Sequence, residues 1–448
     1  MKRFSKLLLI PIFAFIISIL LSYSYLDFKY NMSVSIGQAF TAMSLAKSHN
    51  FNVDEFSGSA GYDVIEYGGH KYAPYPPFNP MLMSVTYFFA YGGTKVLGAI
   101  VPLDKVFVEV VESVGLGMVD SLAYLGIGIL IYLLLRQYKV NSKVIAVVLV
   151  GTLFGTVLFN YSVSFFQHVV AAFFVLLSFY LLNKNKSSRF PYLLAGLFAG
   201  FAFISEFPTA VFAIAVLIYF LIQRFSKEIT SRELLMRIIF FGLGYSVSLL
   251  ILGTYHYILF GNPLLFAEKV LYARNIAEDK TVHTFSQNPI YGWWGLYLSP
   301  LKGLFLISPF LLFSLVGIVK YWRVNRASAV LLISYIVLVS TVYSMWPDCF
   351  GFSTFGSRFL ITVIPFLCFL SAFALKSRGT IIAYSVLVIF GIYICFFNLL
   401  DGIPSGTWFI KCRINEYGSF YKATDFADNL IHGKAVFAPV LLQELMEP

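Results

Sequence analysis

The sequence has few charged residues. Asp, Glu, Lys and Arg make up 12% of its 448 residues, whereas hydrophobic residues make up 59%. The mean hydropathy is +0.79, far above what a soluble domain needs to build its core. This scarcity of charge excludes an ordinary soluble enzyme or binding module. The composition predicts an integral membrane protein.

Cysteine is also scarce. The four cysteines include no Cys-x-x-Cys pair, which excludes the zinc and redox sites that depend on that spacing. No ATP-binding loop, internal repeat or separate soluble domain is visible in the sequence. We therefore predict no cofactor and no metal ligands, although paired carboxylates in one loop could hold a divalent cation.

Basic residues are gathered in short clusters between apolar runs. Lys2, Arg3 and Lys6 precede the first apolar run, so the positive-inside rule places the N-terminus in the cytoplasm. The net charge of +10 therefore reflects membrane topology and not nucleic-acid binding. The later clusters, all placed in the cytoplasm by the same rule, are Arg136–Lys143, Asn183–Arg189, Arg224–Arg237, Lys320–Arg326 and Lys376–Arg378.

About eleven transmembrane helices fit between these clusters, since a span needs about 20 mostly apolar residues. The predicted helices are Leu7–Leu26, Val114–Leu135, Val144–Asn160, Val169–Leu182, Leu193–Ile204, Ala210–Ile222, Ile238–Phe260, Leu304–Val319, Val330–Val342, Phe359–Leu375 and Ile381–Phe397. We predict an all-α polytopic membrane protein with one transmembrane domain, residues 1–400, and a short extracytoplasmic tail, residues 401–448.

One apolar run, Met81–Val101, does not fit this count. As a span it would move every later basic cluster to the outside, and glycines and Lys95 interrupt it. We interpret it as a juxtamembrane or re-entrant hairpin on the outer surface. The first external loop then covers residues 27–113, far more than an ordinary connection. Long ordered loops usually carry function.

Candidate acids lie in this loop. Asp54 and Glu55 are adjacent, and a carboxylate pair beside the membrane suits a general base or a divalent-cation ligand, with a solvated loop charge as the alternative. The loop continues into GGHKYAPYPPFNPML, Gly68 to Leu82, whose prolines can open a helix but cannot lie inside one. We predict a rigid elbow leading into a short surface helix, with Tyr72 and Tyr75 at the membrane interface.

Four further polar residues lie at the outer ends of predicted helices: Glu206, His168, Lys302 and Arg358. Glu206 lies at a tip between two helices, where an unpaired carboxylate is costly. His168 opens a helix, and both a structural and a catalytic role stay open for it. Lys302 and Arg358 each lie where an outer loop meets the membrane, so each could bind a lipid phosphate or simply extend to the interface.

Six segments, in their order along the chain, resemble the GT-C superfamily of polytopic glycosyltransferases, in the branch of the protein O-mannosyltransferases and aminoarabinose transferases. They are MSLAKSHNFNVDEF, GGHKYAPYPPFNPML, FGTVLFNYSVSFFQH, LAGLFAGFAFISEFP, YLSPLKGLFLISPFLL and STFGSRFLITVIPFL. The chain departs from the family at Phe78, where many members have glycine, and at Lys302, where arginine is usual. The family's catalytic aspartate often follows the first helix closely, and that zone offers only Asp27.

The resemblance implies a GT-C-like fold that transfers a sugar from a polyprenyl-phosphate donor to a protein, lipid or glycan acceptor at the extracytoplasmic face. It implies that Asp54, with Glu55 or Asp27 as substitute, takes the proton of the acceptor hydroxyl. Arg358 and Lys302, with Lys71 or His168, would stabilise the departing lipid phosphate. Glu206 would orient a donor hydroxyl or one of those cations.

Two alternatives stay open at this point. A lone carboxylate near the middle of the membrane would favour a multi-span transporter or flippase. Most acids here lie instead in predicted outer loops. A GT-C-like subunit without activity would lack a catalytic aspartate, and the open choice between Asp27 and Asp54 is its best support.

Overall fold

The computed structural model is built almost entirely of helices. It describes residues 6–22, 33–56, 64–184, 188–267, 269–270, 285, 287–299, 302–346 and 355–402. Asp27 and residues 403–448, which form most of the predicted tail, lie outside the described residues. The predicted all-α membrane class is confirmed, apart from two strands of three residues each.

The helices follow the apolar runs of the sequence. In chain order, the α-helices are α1 (Leu9–Ser22), α2 (Ser33–Ser48), α3 (Phe78–Gly98), α4 (Lys105–Gln137), α5 (Ser142–Phe154), α6 (Leu158–Tyr161), α7 (His168–Asn183), α8 (Phe190–Ser205), α9 (Val211–Phe225), α10 (Ser231–Phe260), α11 (Pro289–Leu298), α12 (Leu304–Ile307), α13 (Phe313–Trp322), α14 (Arg326–Ser344), α15 (Ile364–Ser371) and α16 (Arg378–Gly402). Short 3₁₀ helices cover Lys6–Leu8, Asp54–Phe56, Phe207–Ala210, Pro309–Leu312 and Arg358–Leu360.

Ten apolar helical segments coincide with ten of the eleven predicted spans. Within the described ranges, five are long and apolar enough to cross a membrane: Lys105–Gln137, Phe207–Phe225, Ser231–Phe260, Arg326–Ser344 and Arg378–Phe396. Five are shorter: Lys6–Ser22, Ser142–Phe154, His168–Asn183, Phe190–Ser205 and Pro309–Trp322. The remaining prediction, Phe359–Leu375, contains only α15, whose eight residues are all buried. This segment packs inside the bundle and is too short to span a bilayer alone.

The run Met81–Val101 does not form a re-entrant hairpin. Most of it belongs to α3, one continuous helix of 21 residues that begins directly after Pro77. The sequence analysis predicted a short helix after this elbow, and that prediction was wrong. A Cβ added to Gly92 or Gly93 would meet open space, so these glycines lie on an uncovered side of the helix and do not break it. Among the described residues, α3 is not one of the helices apolar enough to span.

Glycines allow two pairs of helices to pack closely. A Cβ on Gly196 of α8 would lie 1.9 Å from the carbonyl oxygen of Phe241 on α10. A Cβ on Gly115 of α4 would lie 2.5 Å from the Cβ of Ala90 on α3. Small residues are the usual means of bringing helix backbones together in membranes. The second contact fixes α3 against the N-terminal part of α4.

The two glycines that begin the elbow form the turn of a β-hairpin, which the sequence analysis did not predict. Strands β1 (Ile65–Tyr67) and β2 (His70–Tyr72) pair antiparallel, with Tyr67 opposite His70. Gly68 and Gly69 have φ angles of +60° and +84°, the left-handed conformation that a two-residue hairpin turn requires. The hairpin therefore sets the positions of His70, Lys71 and Tyr72.

Candidate active site

Three buried polar side chains meet where α7 begins and where α8 and α14 end. The Nδ1 atom of His168 lies 2.6 Å from Oε2 of Glu206, but the two atoms are not aligned for a hydrogen bond. The Tyr343 hydroxyl donates to Oε1 of the same carboxylate. His168, Glu206 and Tyr343 are 4%, 2% and 3% exposed. The sequence analysis named the first two residues, and the structure adds the third.

The helix ends disfavour charge on both members of this pair. His168 is the first residue of α7, and the positive end of a helix dipole opposes a cation. Glu206 is the C-cap of α8, and the negative end opposes an anion. A charge on either residue would therefore need the other as its partner, because alone it would be buried at an unfavourable helix end.

Arg358 lies on the aromatic rings around this pair. Its guanidinium is 5.3 Å from the centre of the Phe166 ring and 4.9 Å from that of Phe359. Phe166 also stacks on His168 at 5.9 Å, and Phe359 stacks on Tyr343 at 4.6 Å. The same two rings thus position the arginine and the His168–Glu206 pair. Cation–π contacts of this kind hold a guanidinium in place but do not neutralise it.

Lys302 and Arg358 belong to neighbouring backbone segments. The hydroxyl of Ser357 donates to the carbonyl oxygens of Lys302 and Leu296, at 2.7 and 2.6 Å. Lys302 is 4% exposed and Arg358 is 7% exposed. The backbone at Lys302 therefore lies beside the residue that precedes Arg358, and both side chains are buried.

A second group of candidate residues lies on the β-hairpin. Oδ2 of Asp54 is 2.7 Å from Nδ1 of His70, and Oδ1 accepts a hydrogen bond of 2.7 Å from the backbone N–H of Lys71. The hydrogen bond with His70 is the main reason that the pKa of Asp54 is lowered, although desolvation opposes it. Asp54 is therefore held as a carboxylate, half-exposed, beside a histidine that the sequence analysis did not single out.

The other predicted loop residues have different surroundings. Glu55 is exposed, whereas Lys71 forms a cross-strand ion pair of 3.7 Å with Glu66. Tyr72 packs edge-on against Phe260 at the end of α10. The Tyr75 ring lies against Gly37 of α2, where an added Cβ would be 3.0 Å away. In the structure, the two tyrosines fasten the hairpin and the elbow to helices.

Three buried amides connect the first loop to the helix that carries His168. Gln38 of α2 donates to Gln167, and Asn79 of α3 donates to Gln38 at 2.6 Å. Gln38 and Asn79 are fully buried, so these hydrogen bonds are costly to break. Because Gln167 precedes His168, the amides connect α2 and α3 directly to the buried cluster.

Most of the site residues that the sequence analysis missed belong to abundant residue types. Tyr343 is one of 29 tyrosines and Phe166 and Phe359 are two of 48 phenylalanines, so their types gave no signal. Gln167 and Ser357 lie within the quoted motifs, and polar residues next to His168 and Arg358 could have been selected on that ground. Within the described ranges, no group of three or more His, Cys, Asp and Glu is arranged to hold a metal ion.

Comparison with known proteins gives one family match. Residues 105–255 match the family model of dolichyl-phosphate-mannose-protein mannosyltransferase. This match runs from the start of α4 into α10 and includes His168 and Glu206. No curated protein matches the chain.

The chain is also similar to two solved structures of ArnT from Cupriavidus metallidurans. With the structure bound to undecaprenyl phosphate, the identity is 15% and the TM-score 0.48, covering 83% of this chain and 61% of that one. With the apo structure, the identity is 13% and the TM-score 0.49, covering 88% and 77%. The chain thus spans less than two thirds of the first of these proteins.

The family match covers about one third of the sequence. It includes two of the six motifs on which the resemblance to GT-C glycosyltransferases was based, namely those that end at His168 and at Pro208. Over residues 105–255, this chain is therefore similar to the protein mannosyltransferases of the GT-C class, as its motifs predicted.

Proposed function

We propose that this protein is a membrane glycosyltransferase. It transfers a sugar from a polyprenyl-phosphate donor to an acceptor hydroxyl at the extracytoplasmic face. The family match supports a lipid-phosphate sugar as donor, since the matched family is described by its dolichyl-phosphate-mannose substrate. The sugar, the lipid length and the acceptor are left open by this match.

The burial of Arg358 is the observation that carries the proposal. A buried guanidinium is costly unless an anion compensates it. Among the described residues no carboxylate lies within ion-pair distance of Arg358, and its Nε has no hydrogen-bond partner there. An anionic ligand would supply the negative charge that the described residues do not place beside Arg358. A phosphodiester, which a guanidinium binds through paired hydrogen bonds, fits this need.

In the proposed reaction, the acceptor oxygen forms a bond to the anomeric carbon. The bond from that carbon to the phosphate oxygen breaks, and the electron pair leaves with polyprenyl phosphate. Arg358 and Lys302 stabilise the charge that develops on the phosphate. The acceptor proton passes to the Asp54 carboxylate. The lowered pKa of Asp54 keeps this group ionised before the reaction, although a base works best with a pKa near the operating pH.

His168 and Glu206 take a positioning role in this proposal. Both are buried against each other, and both contact the aromatic rings or the tyrosine around Arg358. They therefore hold the arginine at a fixed place while the phosphate binds it. Preorganised charges of this kind need no rearrangement during the reaction.

The test measures release of polyprenyl phosphate from a panel of polyprenyl-phosphate sugars by purified protein in lipid, with and without EDTA. We expect Arg358→Gln to lower turnover about a hundredfold or more. Arg323→Gln, an exposed arginine at the end of α13, is the matched control and should leave turnover unchanged. Loss of turnover in EDTA would assign a divalent cation to the reaction.

The choice of base is tested in the same assay. Asp54→Asn should abolish turnover, whereas turnover that survives would transfer the role to Asp27 or Glu55. If folded wild-type protein releases nothing from any donor in the panel, the transferase proposal fails. The transporter and the inactive subunit would then be the functions to pursue.

A further inference from the structure

Helix α3 lies at the level where α4 leaves the membrane. The 33 residues of α4 have a length of about 50 Å, whereas the hydrocarbon core is about 30 Å thick. If the hydrocarbon core begins at Arg136, near the C-terminal end of α4, the helix has crossed its full thickness near Gly115. At this same level, α3 packs on Gly115, and Ser22, the last residue of α1, packs on Gly117.

One side of α3 is apolar and uncovered. We call Val85, Phe88, Phe89 and Val96 the α3 apolar face; these residues are 55%, 50%, 72% and 66% exposed. The opposite side packs on α2 and α4, where Met83 and Tyr87 are fully buried. Helix α4, on which α3 packs, also has exposed apolar residues, such as Phe107 and Leu122, at 46% and 47%. Since α4 continues into the bilayer from the level of α3, lipid is the occupant that this position indicates.

Two lysines flank this face on one side. Lys47 of α2 lies 4.9 Å from the centre of the Tyr91 ring and 5.4 Å from that of Tyr87. Lys95 lies 5.3 Å from the Tyr91 ring. Tyr87, Tyr91 and Lys95 are four residues apart, so they form one line along α3 beside the apolar face. The tyrosine rings therefore fix two ammonium groups at the edge of the apolar face.

Neither lysine forms an ion pair with another described residue. In the part of the chain that the structure describes, no carboxylate lies within ion-pair distance of Lys47 or Lys95. The nearby Glu112 accepts the hydrogen bond of the Tyr87 hydroxyl, and Glu109 pairs with Lys105 at 3.6 Å. Both acids of this part of α4 thus bond to side chains other than Lys47 and Lys95, Glu109 as an ion pair and Glu112 through a neutral hydroxyl.

We propose that Lys47, Lys95 and the α3 apolar face form a binding site for an anionic phospholipid. The acyl chains would cover Val85, Phe88, Phe89 and Val96, and the headgroup phosphate would lie between the two ammonium groups. An apolar helix face with lysines at its edge is the arrangement by which interfacial helices bind anionic membranes. This site is separate from Arg358, and the proposal does not depend on the transferase reaction.

The first test compares binding of phosphatidylglycerol and phosphatidylcholine to the full-length detergent-solubilised protein by native mass spectrometry. Each lysine near an anionic surface contributes about fivefold in affinity. The double variant Lys47→Gln, Lys95→Gln should therefore bind phosphatidylglycerol about 25-fold more weakly and phosphatidylcholine unchanged. Lys47→Arg with Lys95→Arg should retain the preference, because it retains the charge.

The matched control is Lys143→Gln with Lys376→Gln, which removes the same charge from two exposed lysines of other segments. This control should bind phosphatidylglycerol as the wild type does. If the control and the Lys47, Lys95 variant lose the same affinity, only net charge matters and the proposed site is wrong. An unchanged preference in the Lys47, Lys95 variant would overturn it equally.

The second test identifies what covers the apolar face. Phe89→Trp, in liposomes and after subtraction of the wild-type fluorescence, should be quenched by lipids with brominated acyl chains. Tyr67→Trp, on the β-hairpin, should not be quenched by them. If Trp at position 89 is instead quenched by aqueous iodide, the face is open to water or reserved for a protein partner, and the lipid proposal fails.

Discussion

At the scale of single residues, Tyr343 is the side chain that completes the buried charge pair. Its hydroxyl donates to Glu206, and its ring stacks on Phe359, which in turn contacts Arg358. A hydrogen bond that a buried carboxylate accepts is more stabilising than one that a neutral acceptor accepts. Tyr343 therefore has two roles, one electrostatic and one in packing.

Substituting Tyr343 by phenylalanine separates these roles. Tyr343→Phe keeps the ring and removes the donor, so we expect the free energy of unfolding to fall by about 2 kcal/mol. Tyr297→Phe is the matched control, because its hydroxyl is also buried and, among the described residues, bonds to the neutral Ser340 at 2.7 Å. This change should cost about 1 kcal/mol. The measurement is unfolding in one detergent at one pH. Equal losses would mean that Glu206 does not need this donor.

The sequence could predict polar site residues but not their aromatic neighbours. His168, Glu206, Lys302 and Arg358 are rare types at the ends of apolar runs, where their burial is costly, so type and position together mark them as candidates. Tyr343 belongs to an abundant type and carries no such signal. His70 was overlooked because its partner, Asp54, is 16 residues away and meets it only through the hairpin.

At the scale of elements, the contact between α8 and α10 depends on the absence of a side chain at Gly196. Gly196→Ala would place its Cβ 1.9 Å from a backbone oxygen, so one helix must move. We expect a loss of about 3 kcal/mol or more in the free energy of unfolding, since such overpacking cannot relax by a rotamer change.

Gly242 supplies the control for this prediction. It lies in α10, the helix that Gly196 of α8 contacts, but a Cβ there would meet nothing within 4 Å. Gly242→Ala should be neutral or stabilise the helix by up to about 1 kcal/mol. Thermal unfolding of both variants checks the difference. Similar stability of the two would show that the helices do not approach as closely as described.

The elements that were predicted least well are those of the first loop. The glycines in Met81–Val101 led to the prediction of a hairpin, yet α3 is continuous. Gly92 and Gly93 lie on an uncovered side of the helix, so they lower its stability only through their low helix propensity. The β-hairpin escaped prediction because its strands have only three residues each, too few to show an alternating pattern. Its double-glycine turn was the usable signal.

At the scale of the whole molecule, the membrane topology depends on α3. Whether this helix crosses the membrane determines on which side each loop lies. If it does not, residue 67 and residue 143 lie on opposite sides, because α4 alone separates α3 from the Arg136–Lys143 cluster. In a cysteine-free background, Tyr67→Cys should react with a membrane-impermeant maleimide on intact cells. Lys143→Cys should react only after permeabilisation. Labelling of both residues from the same side would mean that α3 crosses the membrane.

Ten of the eleven predicted spans coincide with apolar helices of the described residues, whereas the meeting of their ends at one site was not predictable. Residues 168, 206, 343 and 358 come from four segments with no shared pattern. Only packing between distant helices brings them together. The order of apolar runs determines how often the chain crosses the membrane, but it does not determine which helix ends meet.

The three buried amides, Gln38, Asn79 and Gln167, have a consequence for how the protein opens. They tie α2 and α3 to the residue next to His168, so the first loop cannot detach without leaving buried amides unpaired. Loop and site should then exchange their amide hydrogens as one cooperative unit. Any event that orders or releases the first loop should therefore also change the mobility of His168 and Glu206.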